Sequence, residues 1–240
     1  MCERAALVTG ASRGIGYAIA ELLGAEGYGL TVSARRAPSL SSAAERLRGS
    51  GYEVQEVCAN LADEQQIRQL VAAHSERYGR LDVLVNSGGL GIGAAADAQE
   101  AKFVDLQLAV NIRALILMYR ESIALLRAAG ATAQGALVVN LASLAGKSPQ
   151  PWLSVYSATK AAVIAYTEAM NRELGPHGIK SVALCPGFVN TDMTEFIRGS
   201  VPPEEMIQTA DIAAAVRFLL SLSRFAAVPE IVFQRHGEEL

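Results

Sequence analysis

Near the start of the chain, an apolar strand runs directly into a glycine-rich turn, with the sequence Ala5-Ala6-Leu7-Val8-Thr9-Gly10-Ala11-Ser12-Arg13-Gly14-Ile15-Gly16. Residues 17–23 then have the pattern of a helix. Glycines at such a turn allow a diphosphate to approach the backbone N–H groups at the helix N-terminus. The spacing G-x-x-x-G-x-G differs from the standard dinucleotide spacing, so the turn alone is weak evidence for a nucleotide.

Outward from this unit, short apolar runs alternate with longer amphipathic segments. We predict strands at Ala5–Thr9, Tyr28–Ala34, Tyr52–Cys58, Leu81–Asn86, Ala136–Ala142, Ile179–Cys185 and Glu230–Gln234, and helices near 14–26, 39–49, 63–78, 98–128, 153–175 and 208–223. Several runs are continuously apolar, which is typical of strands covered on both faces. The alternation predicts one α/β domain over residues 1–240, a Rossmann-like doubly wound parallel sheet of about seven strands with helices on both faces. Ligands should then bind beyond the carboxyl ends of the strands.

Composition and charge exclude several classes of protein. The 240 residues carry 21 Lys and Arg against 24 Asp and Glu, so the net charge is −3 and nucleic acid is not a predicted partner. No segment offers the roughly 20 apolar residues of a spanning helix, and the first residues do not read as a signal peptide. Three widely spaced cysteines do not form a disulfide framework. We expect a cytoplasmic protein without a membrane partner and without a metal site.

The end of the second predicted strand carries the residues that choose between two dinucleotides. About 20 residues beyond the glycine turn, an acidic residue binds the ribose 2′-OH of NAD, whereas an arginine accommodates the 2′-phosphate of NADP. This chain has Arg35 and Arg36 there and no acid. We interpret the pair, helped by Arg13, as a phosphate clamp; a solvated arginine pair in a loop is the alternative. The predicted cofactor is NADP(H) rather than NAD(H).

A second group of residues can carry acid–base chemistry. Ser143 follows the strand predicted at 136–142, and Tyr156 and Lys160 lie one turn apart on one helix face. An ammonium group beside a phenol favours the phenolate, so we expect the pKa of Tyr156 to lie below its ordinary value of about 10. Such a phenol exchanges protons near neutral pH. A Tyr/Lys pair at this spacing is common on exposed helices, so its weight comes from the accompanying motifs.

In order and spacing, these motifs resemble the short-chain dehydrogenase/reductase family over essentially the whole chain, including its 3-oxoacyl-carrier-protein reductase-like members. The motifs that carry the resemblance are the turn at 9–16, Asn86-Ser87-Gly88-Gly89, Asn111, Ser143, Tyr156 with Lys160, and Pro186-Gly187-Phe188-Val189-Asn190-Thr191. The resemblance implies an NADPH-dependent oxidoreductase that reduces a carbonyl group to an alcohol by hydride transfer. An NAD(P)-dependent alcohol dehydrogenase working in the oxidative direction and a non-catalytic NADP-binding regulator are the alternatives.

The resemblance also implies roles for individual residues. Tyr156 would donate the proton, Lys160 would lower its pKa and hydrogen-bond the nicotinamide ribose, and Ser143 would orient the substrate oxygen. Asn111 would hold a water that links Lys160 to solvent. The cofactor would be contacted by Gly10, Ser12, Arg13, Gly14, Ile15, Gly16, Arg35, Arg36, Asn60, Leu61, Asn86, Gly88, Tyr156, Lys160, Pro186, Gly187, Val189 and Thr191.

The chain departs from the family pattern at three places. Asn86-Ser87-Gly88-Gly89 replaces the usual Asn-Asn-Ala-Gly, Asn60 replaces an Asp that receives the adenine amino group, and the C-terminal strand lacks the usual Val-Asp-Gly-Gly-like ending. The amide oxygen of Asn60 can still accept that hydrogen bond. The altered C-terminus leaves the choice between a dimer and a tetramer open, although the long apolar helices at 98–128 and 153–175 predict a homo-oligomer.

The substrate is not identified by the sequence. A loop over about residues 187–205 should bind it, and the residues expected to touch it are Ser143, Leu144, Trp152, Tyr156, Phe188 and Met193. Their composition favours a partly apolar carbonyl compound. An acyl carrier protein would need basic residues near the cleft, for which Arg127 and Arg172 are candidates, so this partner stays open.

Overall fold

The structure is a computed structural model that describes residues 3–237, so Cys2 lies outside the described residues. Its centre is a sheet of seven parallel strands in the order β3-β2-β1-β4-β5-β6-β7. The strands are β1 (Ala5–Thr9), β2 (Gly29–Ala34), β3 (Val54–Cys58), β4 (Val83–Asn86), β5 (Ala136–Leu141), β6 (Ile179–Pro186) and β7 (Glu230–Phe233). The predicted doubly wound parallel sheet is confirmed.

Seven α-helices cover the two faces of the sheet. They are α1 (Gly14–Ala25), α2 (Ala37–Gly49), α3 (Glu64–Tyr78), α4 (Ala101–Leu108), α5 (Ala114–Gly130), α6 (Ser154–Leu174) and α7 (Thr209–Ser221) within residues 3–237. One apolar core joins α1, α2 and α7 to the sheet, and a second joins α3, α5 and α6 to its opposite face. Because both faces are covered, every residue of β1, β4 and β5 is buried.

Local signals set most element boundaries to within one or two residues of the prediction. Asp63 begins α3 by accepting hydrogen bonds from the backbone N–H groups of Gln65 and Gln66. Gly79 ends the same helix with φ +66°, in the left-handed region that glycine adopts without steric cost. At the start of α7, Asp211 accepts from the N–H of the N-cap residue Gln208 in a reciprocal capping arrangement.

The prediction of one uninterrupted α-helix over residues 98–128 is wrong. A short 3₁₀ turn at Ala96–Ala98 comes first, α4 ends at Leu108, and a π-helical turn at Ala109–Arg113 separates α4 from α5. The extra residue of a π turn changes the direction of the side chains around it, and such turns are frequent at functional sites. Asn111 lies at the centre of this turn.

The helices predicted to contact a second subunit carry both buried and exposed apolar side chains. Leu115, Leu117 and Val163 are buried in this chain's own core and are not available to a partner. Phe103 and Leu108 are exposed. The homo-oligomer stays a prediction. None of the helices between residues 3 and 237 is long and apolar enough to cross a membrane.

Candidate active site

The predicted site residues meet at one edge of the sheet because all the strands run in the same direction. Thr9 at the end of β1 pairs in register with Asn86 at the end of β4, and Asn86 pairs with Asn140 near the end of β5. The connections after β1, β4, β5 and β6 therefore surround a common cleft, as expected for a doubly wound sheet.

The glycine turn after β1 is shaped by close contacts that exclude side chains. Gly10 and Gly14 have φ values of +67° and +57°. A Cβ atom on Gly16 would overlap the carbonyl oxygen of Gly10 and lie 2.8 Å from its carbonyl carbon. Arg13 is the N-cap of α1 and makes no side-chain cap hydrogen bond, so its side chain does not cover the first N–H groups of this helix. The arrangement is suited to an anionic diphosphate.

Thr9 joins the glycine turn to the loop after β4. Its Oγ1 accepts hydrogen bonds of 3.1 Å from the backbone N–H groups of both Ser87 and Gly88 and donates to the carbonyl of Val85. Gly10 packs against Gly88 so closely that a Cβ atom would lie 2.9 Å from its Cα. The sequence motif does not predict that Thr9 holds this loop, although its position at the start of the glycine turn is a signal for such a role.

Arg35 and Arg36 lie at the end of β2, where a 2′-phosphate would be expected. Both side chains are exposed, Arg36 immediately precedes α2, and within residues 3–237 neither guanidinium forms an ion pair. Two cations at a helix N-terminus, without acidic neighbours to neutralise them, can bind a phosphate.

Arg13, predicted to assist the clamp, has a different partner. Its Nη1 lies 2.5 Å from Oδ2 of Asp192, in the loop after β6. Gly14 faces the same loop, where a Cβ atom would lie 3.2 Å from Cγ2 of Thr191. The ion pair is exposed, so its contribution to stability is small. It does connect the two sides of the cleft.

Two predicted adenosine contacts have partners within the protein. The Oδ1 of Asn60 accepts from the N–H of Ala62 at 3.1 Å, which leaves one lone pair for another donor. Leu61 contacts Gly88, and the contacts of both with the cofactor stay predictions. The side chain of Asn86 turns inward and donates to Asn140 at 2.9 Å. A contact from Asn86 to adenosine would have to come from its backbone.

The predicted catalytic side chains Ser143 and Tyr156 come together. Ser143 lies two residues beyond the end of β5, and its Oγ accepts from the N–H of Ala145 at 3.1 Å and donates to the carbonyl of Pro186 at 3.4 Å. Its hydroxyl lies near enough to the phenol of Tyr156 to lower the pKa of that group. Burial raises the pKa of Tyr156 more strongly, so the net shift is upward. The expected lowering of this pKa is therefore wrong for the structure.

Lys160, the predicted partner of Tyr156, is also buried. The side chain is 5% exposed, and its Nζ donates to the carbonyl of Leu141 at 2.6 Å. Nζ lies over the face of the Tyr156 ring, 5.6 Å from its centre. Burial lowers the pKa of Lys160 to about 8. The pair is adjacent, as the helical spacing predicted, and burial is the largest influence on both pKa values.

Asn111 holds the loop after β4 rather than Lys160 directly. Its amide accepts from the N–H of Leu90 at 2.9 Å and donates to the carbonyl of the same residue at 2.8 Å. Its Nδ2 also donates to Oγ1 of Thr159, next to Lys160. A small internal cavity of about 10 Å³, which is room for one water, is lined by Asn111, Asn86 and Thr9. The water predicted at Asn111 stays a prediction.

A buried network of polar side chains, which the sequence motifs do not predict, lies beneath the candidate catalytic residues. Asn140 accepts from Asn86 and donates, at 2.9 Å each, to the hydroxyl groups of Tyr119 and Thr167. Tyr119 in turn donates to Ser181 on β6. The network joins β4, β5 and β6 to α5 and α6, the helix that carries Tyr156. An asparagine within an otherwise apolar strand was the signal in the sequence.

The predicted substrate residues divide into buried and exposed groups. Leu144 is almost wholly buried and Phe188 is partly buried, whereas Trp152 and Met193 are exposed at the mouth of the cleft. Pro186 ends β6 and Gly187 follows it, and their contacts with the cofactor stay predictions. The side chain of Val189, another predicted cofactor contact, is buried in the core with α1 and α7. Only its backbone can face the cleft.

Comparisons with known proteins agree with this geometry. The family profile described as short chain dehydrogenase matches residues 4–201. The chain is 36% identical over 237 residues to "Granaticin polyketide synthase putative ketoacyl reductase 1" from Streptomyces violaceoruber, covering 90% of this chain and 86% of that protein. It is 30% identical over 225 residues to a 3-oxoacyl-acyl-carrier-protein reductase from Synechocystis sp., with 91% and 90% covered. A solved structure of a variant actinorhodin polyketide ketoreductase with NADPH aligns with a TM-score of 0.87 and 29% identity, covering 95% of each chain.

Proposed function

This chain belongs to the short-chain dehydrogenase/reductase family, and from that premise we propose that it is an NADP-dependent carbonyl reductase. In the proposed reaction, bound NADPH supplies a hydride to the carbonyl carbon, and Tyr156 supplies a proton to the oxygen. The observation that carries the proposal is the juxtaposition of Ser143 and Tyr156, whose hydroxyl groups interact, with Lys160 against the tyrosine ring. These three side chains lie at the same sheet edge as the glycine turn.

The residues around the cleft fit NADP(H). The turn at Gly10–Gly16 leaves no room for side chains where a diphosphate would approach the N-terminus of α1. Arg35 and Arg36 offer two charges for a 2′-phosphate. Solved relatives support this choice, since two of them, at 30% and 29% identity, are complexes with NADP and NADPH.

The proposed mechanism assigns one task to each side chain. Ser143 donates a hydrogen bond to the substrate oxygen and so holds the carbonyl beside the phenol of Tyr156. Tyr156 is the general acid, and its raised pKa keeps the phenol protonated across neutral pH. Lys160, when protonated, stabilises the negative charge that develops on the tyrosine oxygen as the proton leaves. A phenol kept protonated favours reduction over alcohol oxidation near neutral pH.

The experiment that tests the proposal is a screen of NADPH oxidation by purified protein. Acetoacetyl thioesters, diketones, aryl ketones and aldehydes form the panel, and the thioesters represent the ketoacyl reductases among the relatives. Carbonyl-dependent loss of NADPH, with formation of the matching alcohol, is expected for at least one class. Turnover of none of them, in a protein that binds NADPH, would refute the catalytic function and favour a non-catalytic regulator.

The proposed clamp predicts the coenzyme preference. Substituting Arg35→Ala or Arg36→Ala should lower kcat/KM for NADPH about 10- to 100-fold, because a charge-assisted hydrogen bond contributes about 1.5–3 kcal/mol. The value for NADH, which has no 2′-phosphate, should change little. Arg217→Ala is the matched control, since this arginine pairs with Glu26, the residue that follows α1, away from the carboxyl edge. A wild-type protein that prefers NADH would contradict the clamp.

The pKa of Lys160 predicts a pH profile. Because burial lowers this pKa to about 8, the ammonium charge is lost as the pH rises through about 8 rather than near the ordinary value of 10.5. The kcat/KM for reduction should therefore be flat below about pH 7 and decrease above about pH 8. In Lys160→Arg the guanidinium keeps its charge to about pH 12, so the decrease should move to higher pH. A wild-type profile that is flat to about pH 10 would contradict this assignment.

A further inference from the structure

Two aromatic side chains form an exposed pair at the mouth of the cleft. Trp152, in the loop between β5 and α6, is 51% exposed, and Phe196, in the loop after β6, is 63% exposed. Their ring centres are 5.9 Å apart and their planes are nearly perpendicular, at 89°. Large apolar rings exposed side by side at a cleft are a binding feature more often than a core feature.

The backbone holds Trp152 in place with an unusual conformation. Its φ is +55°, and no other non-glycine residue between residues 3 and 237 has a positive φ. The carbonyl of Trp152 accepts a hydrogen bond of 2.8 Å from the N–H of Ala94 in the loop after β4. A residue kept in this region against its steric preference is positioned by its surroundings.

Two glycines bring the tryptophan ring and Tyr156 against the same loop. A Cβ atom on Gly93 would overlap the six-membered ring of Trp152, and a Cβ atom on Gly91 would lie 3.2 Å from Cδ2 of Tyr156. The two rings therefore pack against loop positions only two residues apart, which span at most about 7 Å of backbone. The aromatic pair thus lies beside the loop that also contacts the proton donor.

We propose that Trp152 and Phe196 form a subsite for a flat aromatic ring bonded to, or close to, the reacting carbonyl, so that the preferred substrates are aryl ketones or aldehydes. This inference rests on the proposed carbonyl reduction at Tyr156. A flat ring can take either an offset-stacked or an edge-to-face arrangement with Trp152 and Phe196, whereas a saturated ring of similar size makes only dispersion contacts. The subsite thus distinguishes planar from puckered substituents of equal carbon number.

The first test uses binding, so that it does not depend on turnover. Trp152 is the chain's single tryptophan, and its fluorescence reports this subsite alone. The protein is first saturated with NADP⁺ and then titrated, in separate experiments, with methyl phenyl ketone and methyl cyclohexyl ketone. Free N-acetyl-tryptophanamide, titrated in the same way, corrects the fluorescence for absorption and collisional quenching by the ketones. Saturable quenching with a dissociation constant at least about 3-fold lower for the phenyl compound is expected. Equal affinities, or quenching that does not saturate, would overturn the inference.

The second test uses kinetics and conservative variants. Phe196→Leu keeps the apolar volume and removes the ring, and it should lower the ratio of kcat/KM for the phenyl ketone to that for the cyclohexyl ketone about 3- to 10-fold. Using the ratio relative to wild type cancels the different intrinsic reactivities of the two ketones. Phe196→Tyr should preserve the ratio, and Phe225→Leu, an exposed phenylalanine in the loop after α7, should leave it unchanged.

The outcomes separate the subsite from the proposed function. If Phe196→Leu lowers kcat/KM for both ketones equally, the pair only joins two loops and the inference fails while carbonyl reduction stands. If neither ketone is reduced but the phenyl compound alone quenches Trp152 saturably, the subsite stands and the proposed reaction fails for these compounds.

Discussion

Replacing Tyr156 with Phe should lower kcat/KM for carbonyl reduction about 10²- to 10⁴-fold, since this is the contribution of a positioned general acid. The substitution removes only the hydroxyl group, and the ring still packs against Gly91 and beneath Lys160. The dissociation constant for NADPH should therefore stay within about 2-fold of wild type. Stopped-flow hydride transfer with the best substrate of the screen, and NADPH fluorescence for binding, measure the two quantities.

Tyr166→Phe is the matched control for this loss. The residue lies on the same helix, α6, and its ring contacts Tyr119 edge to face rather than the cleft. Activity within about 3-fold of wild type is expected, because exposed or half-buried substitutions of this size change little. Undiminished turnover in Tyr156→Phe would remove the tyrosine from the mechanism.

The same Gly→Ala change should have opposite effects at two positions of the chain. Gly16→Ala places a methyl group against the carbonyl of Gly10, where neither backbone can give way without moving the turn. We expect it to lower the free energy of unfolding by about 3 kcal/mol or more, a sizeable part of the whole. Gly49→Ala, at the exposed end of α2 with open space around it, should raise it by about 0.5 kcal/mol.

Urea unfolding followed by circular dichroism measures both changes. In addition, Gly16→Ala should weaken NADPH binding in the fraction that folds, because a displaced turn no longer directs the N–H groups of α1 to one point. Gly49→Ala should leave binding unchanged. A Gly16→Ala protein with normal stability and normal affinity would mean that the turn is softer than its contacts indicate.

Much of the architecture follows from patterns that are local in the chain. Continuous apolar runs such as Leu81–Asn86 predict strands buried on both faces, and residues such as Asp63 and Gly79 mark where a helix starts and stops. Because parallel strands end at one edge, the order of strands alone brought Ser143 and the glycine turn to the same cleft. An i,i+4 spacing was enough to place Tyr156 against Lys160.

Other features depend on contacts between segments far apart in sequence. A π-helical turn surrounds Asn111, whose side chain binds the backbone of Leu90, 21 residues earlier, and helical periodicity carries no sign of either feature. Asn86 turns inward because Asn140 on the neighbouring strand offers a partner. A buried side-chain amide needs a hydrogen-bond partner, and the pairing of the strands decides which polar group lies close enough to be that partner.

The electrostatic properties of the site show most clearly what the sequence determines and what only the tertiary structure decides. The sequence pattern alone predicted the parallel sheet, the glycine turn and the identity of the acid–base residues, since each follows from residue type, spacing or resemblance. The direction of the Tyr156 pKa, the ion pair of Arg13 with Asp192 and the contact of Trp152 with Phe196 came from the folded chain. Burial and cross-loop distance set these properties, and both are sums over neighbours that linear spacing does not contain.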